Sequence, residues 1–209
     1  MSIDLHTIND CDIPEFFNIA VACTEHEQPD HTAIIVDEAG HPVQQLSYGE
    51  LSKHSNQVAN MLLDLGCQQG DRVMLCLPNC MAFPLAFFGT LKLGAIALPS
   101  SILLSGDELD YLAKDSGANI LITTPEHWEK LATLSSHTHT ISSVILVNKD
   151  TSTPLNKDTS TPLNKDTSTH SAPDTTTCYD WETEIKEASS HYKPCNTKAN
   201  DPAYLVYTS

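Results

Sequence analysis

The sequence predicts a doubly wound α/β fold, with a mostly parallel sheet and helices on both faces. Two observations lead to this prediction. Between Ser47 and Val147, short apolar runs of strand length alternate with segments of helix length. Only a few residues connect each segment to the next, which is typical of right-handed βαβ units. The 209 residues are enough for one domain with a substantial core.

The segment before Ser47 predicts a helix followed by a β-hairpin. Ile13–Ala22 carries apolar residues at helical spacing, so we expect a helix there. Ala33–Val36 is expected to form a strand, and Val43–Leu46 to return beside it after a turn at Glu38–Pro42.

A capping box opens the first long helix. Ser47 can accept a hydrogen bond from the backbone of Glu50, whose side chain can reach back to the serine N–H. The helix is expected to run to about Leu65, and Gly66 is suited to end it. One face of this helix carries the apolar residues Leu51, Val58, Met61 and Leu62.

A strand and a core helix come next. Val73–Leu77 is a continuous apolar run of strand length, and Asn79 is positioned to cap a helix from Cys80 to about Leu93. That helix is apolar nearly all round, so we expect it to pack on both sides. Proline and glycine interrupt the run before it reaches the roughly 20 apolar residues that a bilayer requires, so no membrane span is expected.

Strand and helix then alternate to the end of the predicted α/β unit, which we place at residues 1–147. An amphipathic pattern identifies the helix Gly106–Ser116, and Gly117 is suited to end it. The other predicted elements are the strands Ala95–Leu98, Asn119–Thr123 and Ser143–Val147, and the helix Glu126–Leu134.

An eight-residue repeat follows the unit. Asn148–Leu155 recurs without change as Asn156–Leu163 and, truncated, as Asn164–Thr169. A unit this short and polar is unlike the repeats of solenoids and propellers, and it buries too little apolar surface to offset its ordering entropy. We therefore predict that residues 148–177 form a disordered insertion. A phosphorylatable tract and a partner-binding arm stay open as functional alternatives.

Composition excludes several classes of function. The formal net charge of −16 argues against a nucleic-acid or anionic-membrane surface, because both need clustered lysine and arginine. The seven cysteines are scattered, and Cys76 and Cys80 lack a matching second pair, so no metal site is predicted. Met1–Pro14 lacks the pattern of a secretory signal, and we expect a cytoplasmic protein.

The last segment, residues 178–209, carries the candidate functional residues. Trp181–Ala188 predicts a helix, and Ala203–Tyr207 predicts a buried strand after an Asn-Asp-Pro turn. This strand would deliver Thr208 and Ser209 to its carboxyl end, which is where ligands bind in open α/β sheets. Paired hydroxyls at that place suit phosphate oxygens or a phosphate-bound Mg²⁺.

Four stretches resemble motifs of the AMP-forming (adenylate-forming) acyl-CoA synthetases. The final stretch Asp201–Ser209 resembles the start of the family's phosphate loop. Leu46–Leu51, Gly70–Asn79 and Leu91–Pro99 are similar to its upstream signatures, in the same order. The resemblance implies an N-terminal fragment of such a synthetase, that is, an incomplete N-terminal domain of the adenylate-forming fold.

The resemblance also implies a reaction and its substrates. The intact family uses ATP, Mg²⁺ and CoA to convert a small-molecule carboxylic acid to an acyl adenylate and then to an acyl-CoA. Thr208 and Ser209 would be the first phosphate-contacting residues, and the family's catalytic groups would lie beyond position 209. We therefore assign no catalytic residue, and we expect this chain alone to be inactive and to bind no cofactor tightly.

A function from another class stays open. The chain could be a non-catalytic α/β module, or one half of a split synthetase that binds a partner chain. Apolar surface meant for the other half would then favour self-association or binding of that half.

Overall fold

The computed structural model describes residues 13–37, 42–132, 140–148 and 176–207. In chain order its elements are α1 (Ile19–Thr24), β1 (Thr32–Val36), β2 (Gln44–Ser47), α2 (Tyr48–Asp64), β3 (Arg72–Cys76), α3 (Ala82–Leu93), β4 (Ile96–Pro99), α4 (Gly106–Ser116), β5 (Ile120–Thr123), α5 (Pro125–Ala132), β6 (Ser143–Leu146), β7 (Thr177–Asp180) and α6 (Trp181–Glu187).

Strands β3 to β7 form one five-stranded parallel sheet in the order β4-β3-β5-β6-β7. Val73 of β3 lies between Ala97 of β4 and Ile120 of β5. The chain moves from β3 to β4 on one side and then to β5 on the other, so the direction of winding reverses at β3. The antiparallel hairpin β1–β2 forms a separate two-stranded sheet.

Alternate residues of each central strand enter two different cores. Val73 and Leu75 lie in the core that the sheet forms with α2, α3 and α6, whereas Met74 and Cys76 lie in the core with α4 and α5. This alternation follows from the two-residue period of a strand. The predicted doubly wound α/β fold, with helices on both faces of the sheet, is confirmed.

Helix termini follow local sequence signals at several places. The predicted capping box is present, with Ser47 and Glu50 bonded reciprocally, and Gly66 adopts a φ of 84° just after α2. A second capping box joins Ser105 and Glu108 at the start of α4, which the sequence reading overlooked.

The predicted cap at Asn79 is wrong. Helix α3 begins at Ala82, and Met81 at its N-cap makes no side-chain capping bond. Pro84 explains the later start, because a helix from Cys80 would need a Pro84 N–H to bond the Cys80 carbonyl, and proline has none. Starting at Ala82 puts Pro84 in the first turn, where backbone N–H groups have no helical partner.

Two other predicted boundaries differ from the structure. Helix α1 begins at Ile19, six residues later than expected, because the Asn18 side chain accepts from the backbone of Ala20 and Val21 and fixes the helix start there. Strand β7 was not predicted, and Thr177, placed by the sequence in the insertion, is its first residue. It pairs in parallel with β6.

Some sequence predictions fall outside the described residues. They concern residues 1–12, the turn at 38–41, the end of the fifth helix at 133–134 and the repeat at 149–175. Among the residues that are described, no helix has both the length and the apolar character needed to cross a bilayer.

Candidate functional site

The carboxyl edge of the parallel sheet is the candidate functional site, because ligands of open α/β sheets bind where the winding reverses. Here that place lies beyond the ends of β3, β4 and β5. Thr123 at the end of β5 is buried, and its hydroxyl donates to the carbonyl of Cys76 at 2.9 Å. This bond joins the C-terminal ends of the neighbouring strands β3 and β5.

His127 connects two loops at this edge. Its Nε2 lies 3.1 Å from the carbonyl of Ile102, which follows β4, and its Nδ1 lies 2.6 Å from the hydroxyl of Thr124. A carbonyl can only accept, so Nε2 carries a proton, and in the neutral ring the Thr124 hydroxyl donates to Nδ1. The sequence reading gave His127 no role, although Thr124 followed by Pro125 is a typical helix start that would have placed His127 in the first turn.

A hydrogen bond between Asn148 and Asp180 lies at the β6–β7 end of the carboxyl edge. Asn148, after β6, donates to the carboxylate of Asp180 at 3.1 Å. The other carboxylate oxygen of Asp180 accepts from the backbone N–H of Thr183 and so caps α6. Burial, and then the neighbouring Asp180, raise the pKa of Glu182, with Lys186 opposing this effect. The polar groups at this end fix the loops that frame the edge.

The segment Ala203–Leu205 lies beside β4, on the side away from β3. Ala97 donates to the carbonyl of Ala203 at 3.1 Å, and Leu205 donates to the carbonyl of Ala97 at 2.9 Å. This is a parallel bridge between Ala97 and Tyr204. The segment therefore runs in the direction of β4, toward the carboxyl edge.

The prediction that Ala203–Tyr207 is a buried strand is wrong in two respects. Only the bridge at Tyr204 is formed, and Tyr204 and Val206 are 57% and 54% exposed. The reason is its position at the margin of the sheet. The segment pairs with β4 on one side, and no described strand pairs with its other side.

Tyr207 contacts the layer of the protein that α4 and α5 form on one face of the sheet. Its hydroxyl donates to the carboxylate of Asp115 in α4 at 2.5 Å, and its ring packs against the α4–α5 core. The hydrogen bond to Asp115, with smaller contributions from burial and charge, raises the pKa of Tyr207 to about 12. The final segment is thereby held to β4 by the bridge at Tyr204 and to α4 by Tyr207.

Thr208 and Ser209 lie outside the described residues, so their role stays a prediction. Within the ranges that are described, no group of three or more histidine, cysteine, aspartate or glutamate residues is arranged to hold a metal ion.

Comparison with known protein families gives one match. The family model described as "AMP-binding enzyme" matches residues 22–209. This range runs from the second half of α1 to the end of the chain.

Similar proteins of known activity are CoA ligases. The chain is 36% identical over 99 residues to a crotonobetaine/carnitine–CoA ligase of Salmonella paratyphi B, which is 47% of this chain and 19% of the relative. It is 33% identical over 126 residues to the ligase of the same name from Salmonella paratyphi C, covering 60% of this chain and 22% of that protein.

Two solved structures share the fold. An acyl-CoA synthetase from Brucella canis aligns with a TM-score of 0.75 at 20% identity, covering 100% of this chain and 35% of the other. The anthranilate CoA ligase AuaEII, in complex with anthranoyl-AMP, aligns with a TM-score of 0.72 at 21% identity, covering 95% and 32%. The chain spans about a fifth of the length of the curated relatives and about a third of these solved chains.

Proposed function

Because the chain belongs to the AMP-binding enzyme family, we propose that it is part of an ATP-dependent ligase that joins a carboxylic acid to CoA. The names of its relatives support this reaction class, since they are CoA ligases. The complex of a structural neighbour with anthranoyl-AMP is that of an acyl adenylate, the intermediate expected of such a ligase.

The proposed reaction has two steps. A carboxylate oxygen attacks the α-phosphorus of ATP and releases pyrophosphate, which gives an acyl adenylate. The thiol of CoA then attacks the acyl carbon and releases AMP. Both steps depend on positioning the substrates and stabilising negative charge. Mg²⁺, when bound, would neutralise phosphate charge.

In this proposal Thr208 and Ser209 supply the first contacts to the phosphates. The observation that supports this role is the parallel bridge between Tyr204 and Ala97, which directs the chain toward the carboxyl edge of the sheet. Hydroxyls that follow such a segment can donate to phosphate oxygens or ligate a phosphate-bound Mg²⁺. Tyr207, held by Asp115, fixes the chain immediately before them.

ATP–pyrophosphate exchange with a panel of carboxylic acids tests the proposal. We expect a polypeptide of these 209 residues to show no exchange above a blank and no tight binding of ATP, Mg²⁺ or CoA. We expect exchange from a polypeptide of the length of the relatives, encoded by the surrounding gene. In that longer protein, Thr208→Val and Ser209→Ala should each lower exchange at least about tenfold, by removing a hydrogen bond to a charged group. Unchanged exchange in both variants would exclude the assigned role.

A second candidate function is a partner-binding module, such as one half of a split synthetase. Exposed apolar side chains favour it, because Tyr204, Leu205 and Val206 form a continuous exposed run at the sheet margin. Size-exclusion chromatography coupled to light scattering tests this alternative. Self-association that is lost in a Tyr204→Ser/Val206→Ser variant would support it, and a monodisperse monomer without partners would oppose it.

We also propose a cytoplasmic location for the protein. The odd number and scattered positions of the seven cysteines support a reducing compartment. Fractionation of cells that produce the tagged protein tests this assignment.

A further inference from the structure

A cavity beside α1 and α2 has a largely polar lining. It has a volume of about 420 Å³, lies between α1, α2 and the segment 190–191, and is open to solvent. This volume is in the range of small-molecule sites. Its polar lining includes Thr24, Glu25, His26, Ser52, Lys53 and Asn56.

A buried ammonium group lies directly behind the cavity wall. Lys92 of α3 is 0% exposed, and its Nζ donates to the carbonyl and hydroxyl of Ser52 and to the side-chain carbonyl of Asn56, at 3.2, 3.1 and 2.7 Å. All three acceptors are neutral. The positive charge of Lys92 is therefore brought to the cavity through two residues that line it, without a salt bridge among the described residues.

One hydroxyl in the wall lacks a partner. Thr24 is 0% exposed, and its Oγ1 makes no hydrogen bond within the described part of the chain. A buried hydroxyl without a partner costs free energy. This hydroxyl has no contact with solvent although the cavity is open, so it does not face a ligand there.

The other groups around the cavity are also mainly donors. His26 Nδ1 accepts from the backbone N–H of Gln28, so in the neutral ring the proton is on Nε2. Lys53 brings a second ammonium to the lining, and Glu25 the one carboxylate among the described lining residues. Together with the buried Lys92, the region around the cavity therefore carries two positive charges, Lys53 and Lys92, and one negative charge, Glu25. This local balance is opposite in sign to the whole chain, whose formal net charge is −16.

We propose that this cavity binds a small molecule that carries an oxyanion, either a carboxylate or a phosphate. The Ser52 hydroxyl, polarised by the Lys92 ammonium, would donate to its oxygens, and Lys53 would attract it from solvent. The site is separate from the proposed nucleotide edge, since Lys92 lies four residues before the start of β4, at the opposite end of that strand.

Titration by two-dimensional amide NMR tests the proposal on the full 209-residue chain. Inorganic phosphate and succinate are the two probes, each at constant ionic strength with chloride as the balancing anion. We expect saturable shifts, for one probe or both, that are confined to the amides around Thr24, Ser52 and Lys53. The probe that saturates identifies the phosphate or the carboxylate as the preferred group.

Two exposed charged residues that line the cavity, Lys53 and Glu25, allow variants with opposite expected effects on binding. Lys53→Gln should weaken binding about tenfold, whereas Glu25→Gln should tighten it several-fold, because one change removes attraction and the other removes repulsion. Lys114→Gln on α4 is the matched control, and it should leave binding unchanged. Non-saturable shifts with both probes, or equal weakening by Lys53→Gln and Lys114→Gln, would overturn the proposal.

Discussion

Gly89 of α3 lies directly against Val58 of α2, with no space for a side chain between the two helices. A Cβ added at Gly89 would fall 2.4 Å from the Cβ of Val58 and 2.9 Å from the carbonyl oxygen of Ser55. Real Cβ atoms essentially never approach other heavy atoms so closely. The absence of a side chain at this position therefore sets how closely α2 and α3 pack.

Gly89→Ala should destabilise the fold, although alanine is the better helix former. Helix propensity favours the variant by up to about 1 kcal/mol. Overpacking against Val58 and the Ser55 backbone costs about 1–3 kcal/mol, occasionally more. We expect a net loss of about 1–2 kcal/mol in the free energy of unfolding, measured by urea denaturation.

The double variant Val58→Gly/Gly89→Ala provides the control. Removing the Val58 Cβ together with its methyl groups takes away the nearest atoms that the new Cβ would meet, so the double variant should lose less stability than the sum of the two single variants. A Gly89→Ala protein as stable as the parent would show that α2 and α3 do not approach each other this closely.

Because the Lys92 ammonium is buried, we expect the free energy of unfolding to rise with pH. Burial lowers the pKa of its ammonium from 10.5 to about 8, with Glu25 opposing this effect. Between pH 8 and 10.5 the unfolded chain holds the proton and the folded chain does not, so stability should rise with pH across this window. The gain is up to about 3 kcal/mol.

The comparison with Lys92→Met isolates this effect, because the variant lacks the ammonium. The unfolding free energy of the parent minus that of the variant should increase from pH 8 to pH 10.5, measured by urea denaturation at several pH values. Burial also raises the pKa of Cys67 to about 12, which lowers stability above pH 9, but this contribution is common to both proteins. A difference that does not change with pH would contradict the prediction.

Asn18 joins three segments of the chain through one side chain. Its oxygen accepts from Ala20 and Val21 at the start of α1, and its amide donates to the carbonyls of Leu91, Lys92 and Cys195 at 3.0, 3.3 and 3.0 Å. Replacement by alanine removes the cap and the amide donor together, so we expect a loss of about 2–3 kcal/mol.

Asn18→Asp separates these two contributions. The carboxylate keeps the capping acceptor but faces three carbonyl oxygens without a donor. Its destabilisation, followed by thermal unfolding, should be larger at pH 7 than at pH 3, where the protonated carboxyl can donate again. Asn79→Asp is the matched control at an exposed residue and should change stability little. An Asn18→Asp protein as stable as the parent at pH 7 would refute the role of the amide.

Tyr207 offers a spectroscopic test of how the final segment is anchored. The hydrogen bond to Asp115 raises the pKa of Tyr207 to about 12. Asp115→Asn should lower this pKa toward 10, measured by phenolate absorbance during alkaline titration, with Tyr207→Phe identifying the signal. Asp107→Asn, on the same helix, should not change it. A Tyr207 titration that is the same in Asp115→Asn and the parent would show that the segment does not dock on α4.

Much of the fold was predictable because its signals are local. The capping box at Ser47, the glycines that end helices and the apolar runs of the central strands each act over one or two turns or a single strand. They located α2, α4 and the four strands from β3 to β6 to within one or two residues. The alternation of these elements was enough for the fold class.

The edges and the polar interior were not predictable in the same way. Strand β7 has the sequence Thr-Cys-Tyr-Asp, which lacks a strong strand pattern, and it forms because β6 offers an unpaired edge. Ala203–Tyr207 has an apolar pattern, yet Tyr204 and Val206 are more than half exposed, because the segment lies at the margin of the sheet beyond β4. No local signal in the sequence predicts that Lys92 is buried, because its acceptors belong to Ser52 and Asn56, which are about 40 residues away in the chain.

The sequence by itself therefore determined the order of the elements, the two apolar faces of the sheet and the candidate phosphate-binding residues Thr208 and Ser209, which stay a prediction. Only the tertiary structure decided which strands are edges, that His127 joins two loops, and that a donor-lined cavity lies beside Lys92. The physical reason is the range of the interactions. Helix caps and hydrophobic periodicity depend on residues that are near in the chain, whereas burial and hydrogen-bond satisfaction depend on partners that only folding brings together.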